Sequence, residues 1–446
     1  MSQAEQGEGG EPGGVGRCRR VGRRAAVVFV LAVGVRLVFM VGEGTYSISP
    51  KRNYWNAGWE TGRIGWHLAE GRGFALELDQ FGPRPAERTA WLAPLYPLVV
   101  GAVFRVCGSY TKTSFVVIYV LQIVLAGWTA VLLLRLGREL GRPSVGLLAG
   151  VMFALWAPAA AFCVRFIWGT TLLTALSVWL IVLLIRLERD GGRVRAVAVG
   201  AVTAALLLLE PAVVLFLPAA AVWLVARGGR RAVRQVVVIG VTVMVLVGPW
   251  MCRNYAAFGE VFFIKSNLGH ELFIGNNPTA DGFYRWTDAV AGEVLDEATY
   301  GRLVSADEFE MNRILGGAAA GYIGEDPGRF VRLSGRRVWW FWRLKFDAKW
   351  DELLGGRTAW KYLRGFDEAG QDVLLILAYL GAVFGLKRRA GVGLPLLFLL
   401  TYPIPYYVTH VDIPRYRFPV VPLVMLLSAY AIVEGVRFVR RRRSTV

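Results

Sequence analysis

Long apolar runs constrain this chain more than any other feature. Stretches such as Ala25–Val41, Val236–Trp250 and Phe418–Val433 recur along it. Runs approaching roughly 20 residues match the thickness of a bilayer's hydrocarbon core. Such runs lie near 25–41, 111–135, 144–162, 168–187, 196–209, 212–226, 235–250, 371–386, 393–409 and 417–436. One or two could be core helices of a soluble domain, but about ten could not. With 55% hydrophobic residues among 446, a soluble chain has no single core large enough to hide them. The expectation is an all-α polytopic membrane protein of about ten transmembrane helices.

The net charge of +18 invites a nucleic-acid reading. The distribution of the charge excludes it. The excess sits in short clusters between apolar runs: Arg17–Arg24, Arg135–Arg142, Arg186–Arg195, Arg227–Arg234, Lys387–Arg389 and Arg437–Arg443. That is the pattern of cytoplasmic loops facing anionic headgroups. If each run crosses once, every cluster falls on one side, which the positive-inside rule makes the cytoplasm. Both termini are then cytoplasmic, and 42–110, 163–167, 251–370 and 410–416 face outward.

Four parts follow. Residues 1–24 read as a disordered cytoplasmic tail, and 25–250 as a transmembrane core carrying the first outer loop, 42–110. Residues 251–370 read as an outer polar segment with interfacial helices, and 371–446 as the last transmembrane helices with a basic tail. Arg17–Arg24 before an apolar run resembles a secretory signal, but Arg36 and the lack of a small-residue cleavage site make it a retained first helix. Pro94–Cys107 is apolar but short, and a full crossing there would flip every later cluster, so it reads as re-entrant or interfacial. Glu210–Pro211 interrupts Ala201–Ala226 and reads as a tight outer turn between two short spans. Cys18, Cys107, Cys163 and Cys252 have no metal-site spacing, and the last three leave room for one disulfide. The two halves show no duplication, which leaves the inverted repeat of many transporters unsupported.

The outer segments hold the candidate chemistry. Trp59–Glu70 reads as an amphipathic helix with Glu60, Arg63 and His67 on one face. A carboxylate, a guanidinium and an imidazole on one stripe suit acid/base work beside a phosphate. A solvated face with a weak ion pair is the plainer alternative. Tyr96, within Thr89–Pro97, is an interfacial anchor or part of a site wall. Lys265–Asn277 brings His270, Glu271, Asn276 and Asn277 as candidate substrate contacts, though Asn and Gly there also suit turns. Asp307–Gly324 reads as helical. Pro327 then opens a helix with Arg329, Arg332, Arg336 and Arg337 beside Trp339, Trp340 and Trp342, expected at headgroup level. The last outer turn carries His410, Asp412, Arg415 and Arg417. These can clamp a phosphate, or form a loop of snorkelling cations with an Asp–Arg pair.

In order along the chain stand E-T-x-R (Glu60, Thr61, Arg63), G-x-G-F (Gly71–Phe74), P-L-Y-P (Pro94–Pro97), P-W-x-x-R-N (Pro249–Asn254), G-N-N-P (Gly275–Pro278) and R-Y-R-x-P (Arg415–Pro419). Together they resemble the multi-spanning glycosyltransferases of the GT-C superfamily, in particular the family 39 branch with its protein O-mannosyltransferases and lipid A aminoarabinose transferases. The resemblance implies a polyprenyl-phosphate sugar donor, an acceptor that is a lipid, glycan or protein, and transfer with inversion at the outer face. It assigns the catalytic base to Glu60 and the donor phosphate to Arg63, Arg415 and Arg417. His67, Tyr96, His270, Glu271, Asn276, Asn277, His410 and Asp412 are the candidate substrate contacts. Two departures stand out. Trp59 precedes Glu60 where many relatives have an acidic pair, and Leu92 and Ala93 replace the metal-holding Glu of the lipid A branch. No zinc site of that kind is expected, and a divalent cation is otherwise left open. A transporter or flippase using Arg36 and Glu210 is the competing reading, with a non-catalytic relative as the third.

Overall fold

A backbone inside a bilayer must satisfy its own hydrogen bonds, and this chain does so with helices almost throughout. The computed structural model describes residues 13–45, 58–82, 85–342, 358–388, 391–411 and 414–443. The helices are α1 (Gly13–Glu43), α2 (Trp59–Ala69), α3 (Leu95–Cys107), α4 (Lys112–Glu139), α5 (Pro143–Leu155), α6 (Ala157–Arg165) and α7 (Thr170–Asp190). Then come α8 (Arg193–Leu207), α9 (Phe216–Phe258), α10 (Leu268–Asn276), α11 (Thr287–Val294), α12 (Glu297–Ser305), α13 (Glu308–Glu325) and α14 (Pro327–Trp342). The last are α15 (Thr358–Lys387), α16 (Gly393–Thr401), α17 (Ile404–Val408) and α18 (Val421–Arg443). A two-residue antiparallel ladder, Ala75–Leu76 against Glu87–Arg88, sits in the first outer loop. The helix beginning at Gly13 starts inside the stretch read as a tail.

Among the described residues six helices are long and apolar enough to cross a membrane, or seven when the bent pair α5 and α6 counts as one span. The chain is an integral membrane protein, but the expected number of about ten crossings is not reached by this measure. Length is one reason, and the counting of Pro211–Phe258 as a single span is another. The 15 residues of α8 rise roughly 22 Å, short of a core of about 30 Å. The nine residues of α16 are shorter still. The bent pair breaks by 53° at Trp156, where Pro158 follows. Arg36, fully buried on α1, donates to the freed carbonyls of Ala154 at 3.1 Å and Phe153 at 3.4 Å. Its charge thus serves a helix end.

Within α9 the backbone leaves the helical region at Gly229 (φ 54°, ψ −140°). Leu217 and Val247 belong to one hydrophobic cluster, although a straight helix would hold them roughly 45 Å apart. The chain therefore folds back at Gly229, between the cations Arg227 and Arg230. Small residues let neighbouring helices approach. Gly137 on α4 meets Gly146 on α5 with backbone filling the space of a Cβ, and Gly65 on α2 meets Gly101 on α3, where the side chains of Val100 and Leu68 fill it.

The basic clusters gather at one end of the bundle. Glu139 pairs with Arg186 at 2.6 Å and Arg189 at 2.8 Å, and Glu188 with Arg227 at 3.5 Å. Glu434 takes Arg142 at 3.3 Å, Arg437 at 2.8 Å and also Arg388. The other end is capped by a second core joining α2 and the segment before α3 to the middle segment. Ile64, Trp91, Phe273, Leu303, Met311 and Leu315 meet there. Cys107, Cys163 and Cys252 are free thiols, so the disulfide for which their placement left room does not form.

Candidate active site

Helix α2 is held against α3 by the Gly65–Gly101 crossing, and this fixes where Glu60, the second residue of α2, points. Its carboxylate lines a cavity with about 630 Å³ of empty space, counted to its open mouth. Trp91 Nε1 donates to Glu60 Oε1 at 2.7 Å. Burial raises the Glu60 pKa above the ordinary carboxylate range, and Arg415, Lys265 and the Trp91 hydrogen bond offset this only in part.

Three further charged side chains reach the same cavity from distant parts of the chain: Glu210, Lys265 and Arg415. Lys265 follows Ile264, a β-branched residue at φ 57°, which is a strained backbone position. Two hydrogen bonds hold it there. Trp250 Nε1 donates to the Ile264 carbonyl at 3.0 Å, and Asn254 Nδ2 at 3.3 Å. Buried Glu308 accepts from Thr89 Oγ1 at 2.5 Å, from the Ala90 amide at 2.9 Å and from Ser266 Oγ. One carboxylate thereby ties the neighbours of Trp91 to the neighbour of Lys265. Arg253 adds bonds to the carbonyls of Thr89 at 2.8 Å and Phe74 at 3.1 Å. These contacts account for the P-W-x-x-R-N motif as scaffolding.

The Arg415 guanidinium lies 4.6 Å from the Trp168 ring centre and 5.1 Å from that of Tyr416. Burial works against its charge, but Tyr416, Glu60 and Glu210 outweigh that cost and hold its pKa above the usual value. None of the four charged groups makes an ion pair with another or with any described residue. Tyr96, Tyr402, Tyr406 and Tyr416 complete the wall.

Several expected site residues lie elsewhere. Arg63 is taken by Asp79 at 3.0 Å and does not line the cavity. His67 bonds Glu77 Oε1 at 2.9 Å. Both share the α2 face with Glu60, but the loop carrying Glu77 and Asp79 folds over them. Arg417 is buried in a separate crevice with Trp156, Trp342, Gln371 and Met425. Consecutive side chains around Tyr416 leave in different directions, so Arg415 and Arg417 cannot share a phosphate in this arrangement. Asn276 and Asn277 are structural. Asn276 Nδ2 donates to Val408 O at 2.9 Å, and Asn277 Oδ1 caps the Thr279 amide at 3.0 Å. Gly275 abuts the Thr409 carbonyl with no room for a Cβ, and Arg337 donates to the carbonyls of Gly275 and Tyr407. His410 Nε2 and Glu271 Oε2 stand 2.7 Å apart, and His270 bonds Thr287 Oγ1 at 2.6 Å. This buckle fastens α10 to the turn that carries Arg415, behind the cavity wall. Tyr96 lines the cavity and donates to Gln122 Oε1 at 3.1 Å. Asp412 lies outside the described residues.

Among the described residues no three His, Cys, Asp or Glu side chains converge as a metal-holding group. Sequence reasoning missed Lys265 as a site residue and read Glu210 as a turn. Its one signal for Glu210 was a carboxylate interrupting an apolar stretch.

No protein-family model matches the chain, and no curated protein matches its sequence. Solved structures do match. The oligosaccharyltransferase of Archaeoglobus fulgidus in its apo form aligns with 94% of this chain at a TM-score of 0.56 and 12% identity. The same organism's oligosaccharyltransferase AglB, in complex with an inhibitory peptide and a dolichol-phosphate, aligns with 95% at 0.54 and 13% identity. The chain has the GT-C fold. It spans about half the length of these structures, 51% and 52% of them.

Proposed function

We propose that this protein is a membrane glycosyltransferase that moves a sugar from a polyprenyl-phosphate donor to an acceptor hydroxyl at the non-cytoplasmic face, with inversion. One observation carries the reading: Glu60, Glu210, Lys265 and Arg415 converge on one cavity and none has an ionic partner among the described residues. Charges drawn away from water are costly unless compensated, so four unpaired groups together imply a charged ligand. Two cations, one of them beside the rings of Trp168 and Tyr416, suit a lipid phosphate. The gathering of basic clusters at the opposite end supports placing the cavity on the outer side. The dolichol-phosphate bound by the structural neighbour supports the donor class.

In this reading Arg415 and Lys265 hold the phosphate and stabilise its leaving oxygen. The Trp91 bond engages Glu60 Oε1 and leaves Oε2 to serve the acceptor. Oε2 takes the acceptor's hydroxyl proton as its oxygen bonds the anomeric carbon. The bond from that carbon to the phosphate oxygen breaks, and the polyprenyl phosphate leaves with the electron pair. Base catalysis of this kind contributes about 10²–10⁴ in rate. A transport path would need intramembrane charges free to serve it. Of the two candidates for that role, Arg36 is engaged by the carbonyls of the α5 break, and Glu210 stands at the turn that opens Pro211–Leu215.

The test is transfer from labelled polyprenyl-phosphate mannose and glucose by the purified protein in nanodiscs. Glu60→Gln is expected to lower transfer at least about 100-fold while the lipid still binds. Undiminished transfer by Glu60→Gln would overturn the mechanism.

A further inference from the structure

The proposed reaction uses Glu60, Lys265 and Arg415, and leaves one charged group of the cavity without a task. Glu210 lies where α8 gives way to the 3-10 turn Pro211–Leu215. Its backbone is fixed. The amide donates to Leu206 O at 2.8 Å, the carbonyl accepts from Val213 at 3.2 Å, and the Leu95 amide bonds the neighbouring Leu208 carbonyl at 2.9 Å. The carboxylate itself caps nothing and makes no hydrogen bond or ion pair among the described residues. It therefore has no structural work that would explain a charge at this place.

Its surroundings describe a ligand. Tyr402 and Tyr406 line the same cavity, with their hydroxyls 3.2 Å apart. Tyr406 stacks on Tyr416 with ring centres 4.3 Å apart and planes at 23°. A carboxylate offers two acceptor oxygens and no donor, which matches a pair of neighbouring hydroxyls. Aromatic faces beside it suit the C–H face of a sugar ring. Resting on the glycosyltransferase reading, we infer that Glu210 recognises the transferred sugar, accepting hydrogen bonds from two vicinal ring hydroxyls while the tyrosines pack on the ring.

The experiment measures binding to the protein in nanodiscs with four probes: bare polyprenyl phosphate, and the same lipid carrying mannose, glucose or glucosamine. Wild type is expected to bind a neutral-sugar lipid more tightly than the bare lipid. Glu210→Gln is expected to lose that extra affinity, by about tenfold or more, and to bind the bare lipid unchanged. Retained binding of the bare lipid also reports that the variant is folded. Glu210→Asp, which keeps the charge but withdraws it by one methylene, is expected to show the same selective loss to a smaller degree. Arg415→Gln is expected to weaken all four probes. Its failure to do so would strike the glycosyltransferase reading and not the role of Glu210 alone. The inference is overturned if Glu210→Gln binds every probe as wild type does, or weakens bare and sugar-bearing lipids equally. It is overturned as well if only the glucosamine lipid is affected, or if no sugar adds affinity in wild type.

Discussion

Glu60 is placed where folding resists its charge and the proposed reaction requires it. Its pKa is raised in the folded protein, chiefly by burial. A group raised in this way contributes stability that is fully present below its unfolded pKa and is lost as pH rises through the folded value. A general base works in the opposite sense, gaining activity as it ionises over that interval. Wild type and Glu60→Gln compared across weakly acid to neutral pH should therefore diverge. The melting temperature of wild type relative to the variant should fall, while wild-type transfer rises. A pH-independent melting difference would contradict the assigned burial. Glu60 was legible in the sequence because its spacing and flanking motif survive without tertiary knowledge. Arg63 was legible as a cation, but its partner Asp79 arrives from a loop whose path no local pattern gives. Lys265 was not legible at all, since its direction depends on the positive φ of Ile264, a conformation its residue type argues against.

At the level of elements, hydropathy located the long helices well and the short ones less well. Lys112–Glu139 and Thr170–Asp190 lie within a few residues of the runs read at 111–135 and 168–187. The run at 144–162 hid a break, because Pro158 and a buried arginine on another helix decide it. Interfacial placement of α14 was read from its arginines, yet two of them face inward. Arg329 donates to the carbonyls of Asn277 and Pro278 at 2.8 Å, and Arg337 grips Gly275. This makes Gly275 a test of how the buckle positions Arg415. Gly275→Ala would force a methyl into the Thr409 backbone and should cost roughly 1–3 kcal/mol. Binding of polyprenyl phosphate should weaken with it, although Gly275 does not line the cavity. Gly321→Ala on α13 meets nothing within 4 Å and is the control, expected to leave binding unchanged and to raise melting slightly, since alanine favours a helix interior. Equal behaviour of the two variants would show that the turn does not hold the site.

The whole molecule separates its charges by use. At one end, basic clusters pair with Glu139, Glu188 and Glu434 and are spent on holding loops together. At the other, four charged groups from four distant stretches are brought to one cavity and left unpaired among the described residues. The sequence could show the first pattern, because clusters and runs alternate along the chain. It could not show the second, because convergence of residues 60, 210, 265 and 415 is a property of the fold alone. The most direct measurement is a cryo-EM structure of the protein in nanodiscs saturated with polyprenyl phosphate. The account predicts phosphate density within about 2.7–3.2 Å of Arg415 and Lys265, on the side facing Glu60. Density against Arg417 or Arg63 instead, or a cavity left empty at saturating lipid, would contradict it.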